Sequence, residues 1–246
     1  MNVFFVVVAV GLVCLVVEWR WAGRAFPAVP QWWRRSMLLN GGQAVLLYVT
    51  GNAWDGWILS HRLWQADGLG LWGGVAVGYV VHTFVYYWWH RARHVSPFLW
   101  RWVHQIHHSP QRIEIITAFY KHPVEILINS FLSSVVLYVV VGLNPEQAVM
   151  TMIFNGLAEL FYHWNIKTPR WIGYIIQRPE MHCVHHEQGR HQSNYGDLPI
   201  FDLLFGTFSN PATFDGRCGF ADDREQQLLP MLGGVDVHAK HNEVST

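Results

Sequence analysis

The stretch that decides the fold is residues 69–94, which read LGLWGGVAVGYVVHTFVYYWWHRARH. Residues 69–89 contain no Asp, Glu, Lys or Arg. At about 1.5 Å of rise per residue, they form a helix long enough to cross roughly 30 Å of hydrocarbon. The same helix ends on His90 and His94, which are four residues apart and so share one helix face. The stretch predicts a membrane-spanning helix that carries imidazoles at one end.

Four further apolar runs accompany this helix, at residues 3–17, 36–59, 124–142 and 146–161. The run at 36–59 is the weakest span because Asp55 interrupts it, and a carboxylate at membrane depth needs a partner or an interfacial position. The short turn 143–145 joins the last two runs and favours a helical hairpin. Small residues recur every four positions in the central helix, which lets another helix approach closely; they are Gly70, Gly74 and Gly78. We therefore predict an all-α, multi-pass transmembrane bundle of four to five spans with a histidine-rich helical cap.

Composition excludes several other classes of protein. The residue types AVILMFWYC make up 51% of the chain and charged residues only 14%, which excludes an intrinsically disordered protein. Seventeen Lys and Arg balance seventeen Asp and Glu, so no basic field exists to attract nucleic acid. The three cysteines are widely spaced and form no CxxC motif, which argues against a disulfide framework or a cysteine zinc site.

Basic residues indicate how the bundle is oriented, because Lys and Arg collect on the cytoplasmic side of a membrane. They follow the first, third and fifth apolar runs, at Arg20, Arg24, Arg34, Arg35, Arg91, Arg93, Arg101, Arg112, Lys121, Lys167, Arg170 and Arg178. Five spans with an outside amino terminus satisfy all three groups and place the histidine clusters on the cytoplasmic face. We predict membrane spans in residues 1–68, a catalytic region in 69–209 and a polar tail in 210–246 that packs over the same face.

Histidine is the unusual residue of this sequence. There are 15, of which twelve lie between His82 and His191. Three clusters have helical spacing, namely HRARH at 90–94, HQIHH at 104–108 and HCVHH at 182–186. On this spacing, each cluster is expected to point two or three rings at one place. Eight imidazoles exceed the needs of one ion and suit two neighbouring metals, although imidazole alone does not choose between Zn, Cu, Fe and Ni.

These clusters, placed after paired apolar spans, resemble the fatty acid hydroxylase and sterol desaturase superfamily of membrane-embedded diiron oxygenases. The resemblance covers residues 79–208, just over half of the chain. It extends to further short motifs, at residues 89–91, 107–109, 122–125, 161–165, 194–196 and 205–208. It implies activation of O2 at two irons and hydroxylation or desaturation of an unactivated C–H bond of a lipid, such as a sterol or fatty acyl chain. The lipid head group is expected to stay in the interface while the hydrocarbon enters a groove.

Site residues follow from the resemblance by motif position. The iron ligands are expected to be His90, His94, His104, His107, His108, His182, His185 and His186, with His163 as a ninth. His122 and His191 are further candidates, each either a ligand, a hydrogen-bonding partner of a ligand or a structural residue. Glu159, Asn194 and Tyr195 are the candidate catalytic residues, and Glu159 is expected to ligate, to hydrogen-bond to a ligand or only to pack.

Other expectations concern residues around these motifs. The carboxylates expected to moderate the metal charge or to orient the rings are Glu180, Glu187, Asp197 and Asp202, with a solvated surface charge as the alternative for each. Thr83 stands near a position that is commonly acidic in the family, which leaves the partner of the first cluster open. The histidines at His61, His238 and His241 are expected to face solvent.

Two motifs are judged to be coincidental, and one absence points to a partner. The GxGxxG at residues 68–73 leads into an apolar span with no preceding strand, and the HExxxH at 186–191 has the wrong spacing for the usual zinc helix. Because the chain has no flavin, nicotinamide or haem fingerprint, we expect an external electron donor of the cytochrome b5, ferredoxin or rubredoxin type. The alternatives to an oxygenase are a metal transporter or sensor and a bis-histidine cytochrome. In a structure, zinc could replace the iron.

Overall fold

The computed structural model describes the backbone of residues 3–238 and the side chains of residues 9–238 except residue 52. Within this part of the chain all regular structure is helical, and the only strand pairing is an isolated bridge between Glu187 and Cys218. The α-helices are α1 (Val3–Arg20), α2 (Trp32–Ser60), α3 (Gly70–Val95), α4 (Pro97–Leu99), α5 (Gln105–His108), α6 (Pro123–Ser134), α7 (Pro145–His163), α8 (Pro179–His185), α9 (Pro199–Leu204) and α10 (Leu228–Leu232). Two π-helical segments, Trp100–His104 and Val135–Val140, join α4 to α5 and extend α6.

Local sequence explains where the helices of the bundle begin. At α7, the Asn144 side chain accepts from the Gln147 N–H and the Gln147 side chain accepts from the Asn144 N–H, both at 3.0 Å, and Pro145 opens the helix. Both bonds satisfy backbone N–H groups that a helix start otherwise leaves unpaired. At α6, Nδ1 of His122 accepts from the Val124 N–H at 3.0 Å, and Pro123 takes the first helical position.

Four helices of the bundle pack as two main pairs, α2 against α6 and α3 against α7. The predicted glycine stripe explains the second pair, because a Cβ on Gly74 would lie 2.4 Å from the Gln147 side chain and one on Gly78 would lie 2.7 Å from Leu143. Gly70 instead begins α3 at φ +63°, with nothing near its missing Cβ. Asp55 on α2 has the partner that its position requires, since Ser134 Oγ donates to it at 2.5 Å.

The helices α1, α2, α3, α6 and α7 cover the five apolar runs of the sequence. Within the described residues, two segments are long and apolar enough to cross a membrane, Asp67–Val95 and Pro123–Val140. The outer face of α2 nevertheless exposes large apolar side chains, among them Met37, Leu38 and Val45. The all-helical class is confirmed, while the number of spans and the cytoplasmic position of the cap stay predictions.

The segments that follow α3 and α7 form a cap over one end of the bundle. The π-helical segment and α5 carry one histidine cluster, and α8 carries another. The described part of the tail packs against this cap, because Phe220, Met231 and Val237 share a buried cluster with Ile106 and Tyr120. The cap therefore gathers every histidine cluster at the same end of α3 and α7.

Candidate metal centre

The structure brings nine histidines together in two groups that could each hold a metal ion, with the ligand atoms of each group within 4.8 Å of one another. Group A contains His90, His94, His104, His108 and His185, and group B contains His107, His163, His182 and His186. The rings of His108 and His186 stack at a centroid distance of 4.1 Å, so the two groups are neighbours. All nine are among the ligands expected from the sequence.

Each HxxHH motif points two of its three rings at one group, as helical spacing predicts, and the third ring at the other group. In the first motif, His104 and His108 belong to group A and His107 to group B. In the second, His182 and His186 belong to group B and His185 to group A. The physical reason is that residues four apart share a face whereas the third residue is displaced around the helix, and each motif lies between the two groups. Each motif therefore serves both groups.

Hydrogen bonds fix the tautomer of two of the four group B rings, those of His163 and His182. Nδ1 of His163 donates to the Glu159 carbonyl at 2.8 Å, and Nδ1 of His182 donates to Oε1 of Gln177 at 3.0 Å. Both acceptors lack a proton, so Nδ1 carries it and Nε2 presents a lone pair. The Nε2 atoms of His163 and His186 each lie 3.0 Å from Nε2 of His182. Converging lone pairs at this separation fit a shared cation.

A strained loop fixes the tautomers of two group A rings, those of His90 and His185, in the same way. Nδ1 of His90 donates to the Tyr195 carbonyl at 2.9 Å, and Nδ1 of His185 donates to the Ser193 carbonyl at 2.7 Å. The Nε2 atoms of both rings, and that of His94, are buried without a hydrogen-bond partner among the described residues. The loop holds Ser193 at φ 70° and Asn194 at φ 53°, a backbone conformation that residues other than glycine rarely adopt. Strain of this kind is typical of functional sites.

Burial makes the rings neutral. Desolvation lowers the pKa of His104, His107, His108, His182 and His186 well below the usual histidine value, and that of His185 to about 3. Neutral imidazole is the form that binds a metal ion. The donor set, its tautomers and its unpartnered nitrogens therefore fit two cations with nitrogen ligands.

One carboxylate contacts the histidines, and it was not among those selected from the sequence. Glu125 Oε1 lies 3.2 Å from Nδ1 of His104 and forms an ion pair with Arg93, with all three side chains nearly inaccessible. Glu125 closes the motif at residues 122–125, and this motif is the signal in the sequence that marks the carboxylate. The four carboxylates that were selected have other partners: Glu180 pairs with Arg178, Glu187 with Arg190, Asp202 caps the loop at Tyr195 and Gly196, and Asp197 bonds to Tyr162.

The remaining candidates lie outside both groups. His122 uses one ring nitrogen to cap α6 and the other to contact the Leu232 carbonyl at 3.3 Å. His191 Nδ1 lies 3.2 Å from Nδ1 of His108, so His191 contacts a group A ring at its Nδ1 atom. His238 is half-buried against His191 and Phe220, which corrects its expected exposure, whereas His61 is exposed and His241 lies outside the described residues.

The three candidate catalytic residues have identified contacts. The Glu159 carboxylate forms an ion pair with Lys121, and it is the Glu159 carbonyl that holds His163. The Asn194 side chain donates to the Met181 and Ser209 carbonyls at 2.8 and 2.9 Å, which ties the loop to α8. The Tyr195 ring packs on group A, with centroids 5.3 to 5.5 Å from those of three rings. Asn194 therefore positions the loop rather than facing the histidines with its side chain.

A cavity of about 290 Å³ reaches both groups. Near the groups its wall includes His90 and His104 of group A and His107 and His182 of group B. Its wall also includes side chains of α2, α3, α6 and α7, among them Leu47, Ser133 and Met152. A ligand in this cavity would contact both groups from within the bundle.

This architecture defines a class of protein, an all-helical bundle whose cap holds a buried double histidine centre. Residues 75–207, more than half of the chain, match the fatty acid hydroxylase family. The chain belongs to the fatty acid hydroxylase family.

The chain is similar to several characterised enzymes. The chain is 30% identical to a very-long-chain aldehyde decarbonylase of Oryza sativa subsp. indica over 85% of its own length and 33% of the relative's. It is 29% identical to a sphingolipid C4-hydroxylase of Schizosaccharomyces pombe, covering 51% and 44% of the two chains, and 30% identical to an alkylglycerol monooxygenase of Homo sapiens, covering 63% and 34%. The chain thus spans a third to under half of these relatives. No solved structure matches it.

Proposed function

We propose that this protein is a membrane-embedded, non-haem diiron oxygenase that hydroxylates or desaturates an unactivated C–H bond of a lipid, with electrons from an external donor protein. The observation that carries the proposal is the pair of adjacent groups of neutral histidines, both reached by one cavity from within the bundle. Family membership and the hydroxylase and monooxygenase relatives support the reaction class.

Groups A and B would each hold one iron through the nine histidines. Irons held there would supply the O2-dependent oxidation of a C–H bond, which side chains cannot perform. The protein's own groups keep the rings neutral and oriented, through the Tyr195 and Ser193 carbonyls in group A and the Glu159 carbonyl and Gln177 in group B.

Metal analysis and substitution test this proposal. The purified protein should contain two irons per chain without haem absorbance, and its O2 uptake should depend on added lipid and reductant. His107→Ala in group B and His185→Ala in group A should each abolish turnover and lower iron content, because each removes one ligand from one group. His61→Ala is the control, since this exposed ring contacts neither group.

The result that would contradict the proposal is transport of metal ions without O2 consumption, or full activity in both ligand variants.

Lipid mass spectrometry of cells with and without the protein would identify the substrate, through a mass change of one oxygen or two hydrogens. Dithionite-driven turnover without any donor protein would refute an obligatory partner.

A further inference from the structure

A second cavity has a volume of about 1060 Å³, the size of a large small-molecule site. Its wall is built mainly from three parts of the chain, within residues 23–27 after α1, at residues 167–168 after α7 and within residues 212–222 of the tail. None of the nine histidines of groups A and B lines it. The proposed oxidation therefore leaves this cavity without a role.

Arg24, in the wall of this cavity, has a fixed backbone and a guanidinium group without a partner. The Arg24 N–H donates to Oδ1 of Asn165, and the Arg24 carbonyl accepts from Nδ2 of Asn165, both at 2.9 Å. Within the described residues, however, Nε, Nη1 and Nη2 of Arg24 are all shielded from solvent and have no hydrogen-bond partner. A guanidinium has five N–H donors and does not lose its charge in proteins, so it is costly to bury without a counter-charge.

Glu180, which lines the same cavity, does not supply this counter-charge. Its carboxylate forms an ion pair with Arg178 at 2.7 Å and accepts from the hydroxyl and the N–H of Thr168 at 2.7 and 2.9 Å. Burial lowers the pKa of the Arg178 guanidinium, and the positive charge of Arg24 acts in the same direction. Two neighbouring guanidinium groups thus have one carboxylate between them, and Arg178 holds it.

The rest of the wall adds more unpaired positive charge than negative charge. Lys167 and Arg217 line the cavity, and neither side chain forms an ion pair or a hydrogen bond within the described part of the chain. Of the two other carboxylates in the wall, Asp222 pairs with Arg224 at 3.4 Å, whereas Asp215 has no ion pair in the same part of the chain. Counted with Arg24, three unpaired cations face one unpaired carboxylate. This surplus matches an anion with two negative charges.

We propose that this cavity binds the phosphate group of a phosphate monoester, with Arg24 as its main contact. The planar fork of arginine fits two phosphate oxygens at once, and a phosphate monoester carries roughly −1.5 to −2 charges at neutral pH. The rings of Phe26, Phe214 and Phe220 in the same wall offer apolar surface to the organic part of the ligand. A soluble phosphate monoester and the head group of phosphatidic acid share this chemistry. The inference does not depend on iron or on the proposed oxidation.

Binding of inorganic phosphate to the purified full chain in detergent tests the inference. In equilibrium dialysis with radiolabelled phosphate at constant ionic strength, Arg24→Met should bind about tenfold more weakly than the wild type or worse, because it loses charge-assisted hydrogen bonds. Arg24→Lys should bind with intermediate affinity, since it keeps the charge without the fork. Arg20→Met is the matched control and should bind as the wild type does, because Arg20 is exposed and outside the cavity wall.

Competition for the labelled phosphate identifies the source of the ligand. Displacement by adenosine 5′-monophosphate at lower concentration than by a short-chain phosphatidic acid supports a soluble ligand. The reverse order supports a lipid head group. If neither compound displaces the label, the phosphate monoester site is refuted.

Thermal stability shows whether Arg24 has only a structural role. Without phosphate, Arg24→Met should have a Tm at least equal to that of the wild type, because the substitution removes a buried charge that has no partner. Phosphate should raise the Tm of the wild type more than chloride at the same ionic strength does, and Arg24→Met should lose this difference. A lower Tm of Arg24→Met without phosphate would mean that Arg24 serves the fold instead.

Two further outcomes would overturn the inference. One is equal phosphate binding by the wild type and Arg24→Met. The other is loss of phosphate binding in the combined variant His107→Ala/His185→Ala, which would place the anion at the histidine groups.

Discussion

Each histidine of the two groups acts through the chemistry of its two ring nitrogens. When Nδ1 donates to a carbonyl, as in His90, His163 and His185, the lone pair is fixed at Nε2 and the ring cannot turn. Burial then keeps the ring uncharged. Helical spacing predicts His90 and His185 as metal ligands, and the family resemblance adds His163. Neither shows which ring nitrogen faces a metal, because acceptors distant in sequence decide the tautomer.

Unlike the histidines, which the sequence predicts as ligands, Glu125 is a residue whose contacts only the structure reveals. Its carboxylate lies between Arg93 and His104, one on α3 and the other in the π-helical segment. We predict that Glu125→Leu lowers the free energy of unfolding by about 3–5 kcal/mol, because Arg93 is left buried without a counter-charge. Chemical denaturation of the metal-free protein in detergent measures this change.

The double variant Arg93→Met/Glu125→Leu serves as the test of that cause. It should recover much of the lost stability, since removing both partners of a buried pair leaves no unpaired charge. Glu146→Gln, at an exposed position in the first turn of α7, should change stability by less than about 0.5 kcal/mol. A double variant as unstable as Glu125→Leu would mean that packing, and not charge, explains the loss.

Among the structural elements, the loop 191–195 does more for group A than its length suggests. Its backbone carbonyls hold His90 and His185, and the Asn194 carbonyl accepts from Gln177, which in turn holds His182 of group B. The loop therefore orients rings of both groups. The sequence motif at 194–196 marked the position but suggested side-chain chemistry, because sequence patterns do not report which backbone groups face a site.

We predict that Asn194→Ala weakens iron binding about 10- to 100-fold, since loss of its bonds to the Met181 and Ser209 carbonyls frees the loop from α8. Chelator competition on the purified protein measures the affinity. Ser193→Gly is the matched control, because glycine adopts a φ of 70° without strain and keeps the carbonyl that holds His185. Unchanged iron affinity in Asn194→Ala would show that the loop is held by other contacts.

For the molecule as a whole, the two groups join parts of the chain that are far apart in sequence. Their ligands come from α3, the π-helical segment, α5, α7 and α8, so a bound metal ties the bundle to its cap. A ligand that binds only the folded state stabilises it, by about 2.7 kcal/mol per site at a free concentration of one hundred times Kd.

We therefore expect Fe²⁺, added anaerobically to the metal-free protein, to raise its Tm. Mg²⁺ should not, because it prefers oxygen ligands. The combined variant His107→Ala/His185→Ala should lose most of the shift, since each group then lacks one ligand. Differential scanning fluorimetry measures the effect, and an equal shift with Mg²⁺ would contradict binding at the histidines.

Apolar runs and i,i+4 spacing are local properties, so they predict the helical class, the five apolar helices and the three histidine clusters. The full set of histidines that meet, including His163, was predicted only with the family resemblance. The division of each HxxHH motif between two groups, the carbonyls of the loop 191–195 and the contacts of Glu125 were decided only by the tertiary structure. They depend on how helices distant in sequence pack, and packing is set by side-chain shape, as where α7 rests on Gly74 and Gly78.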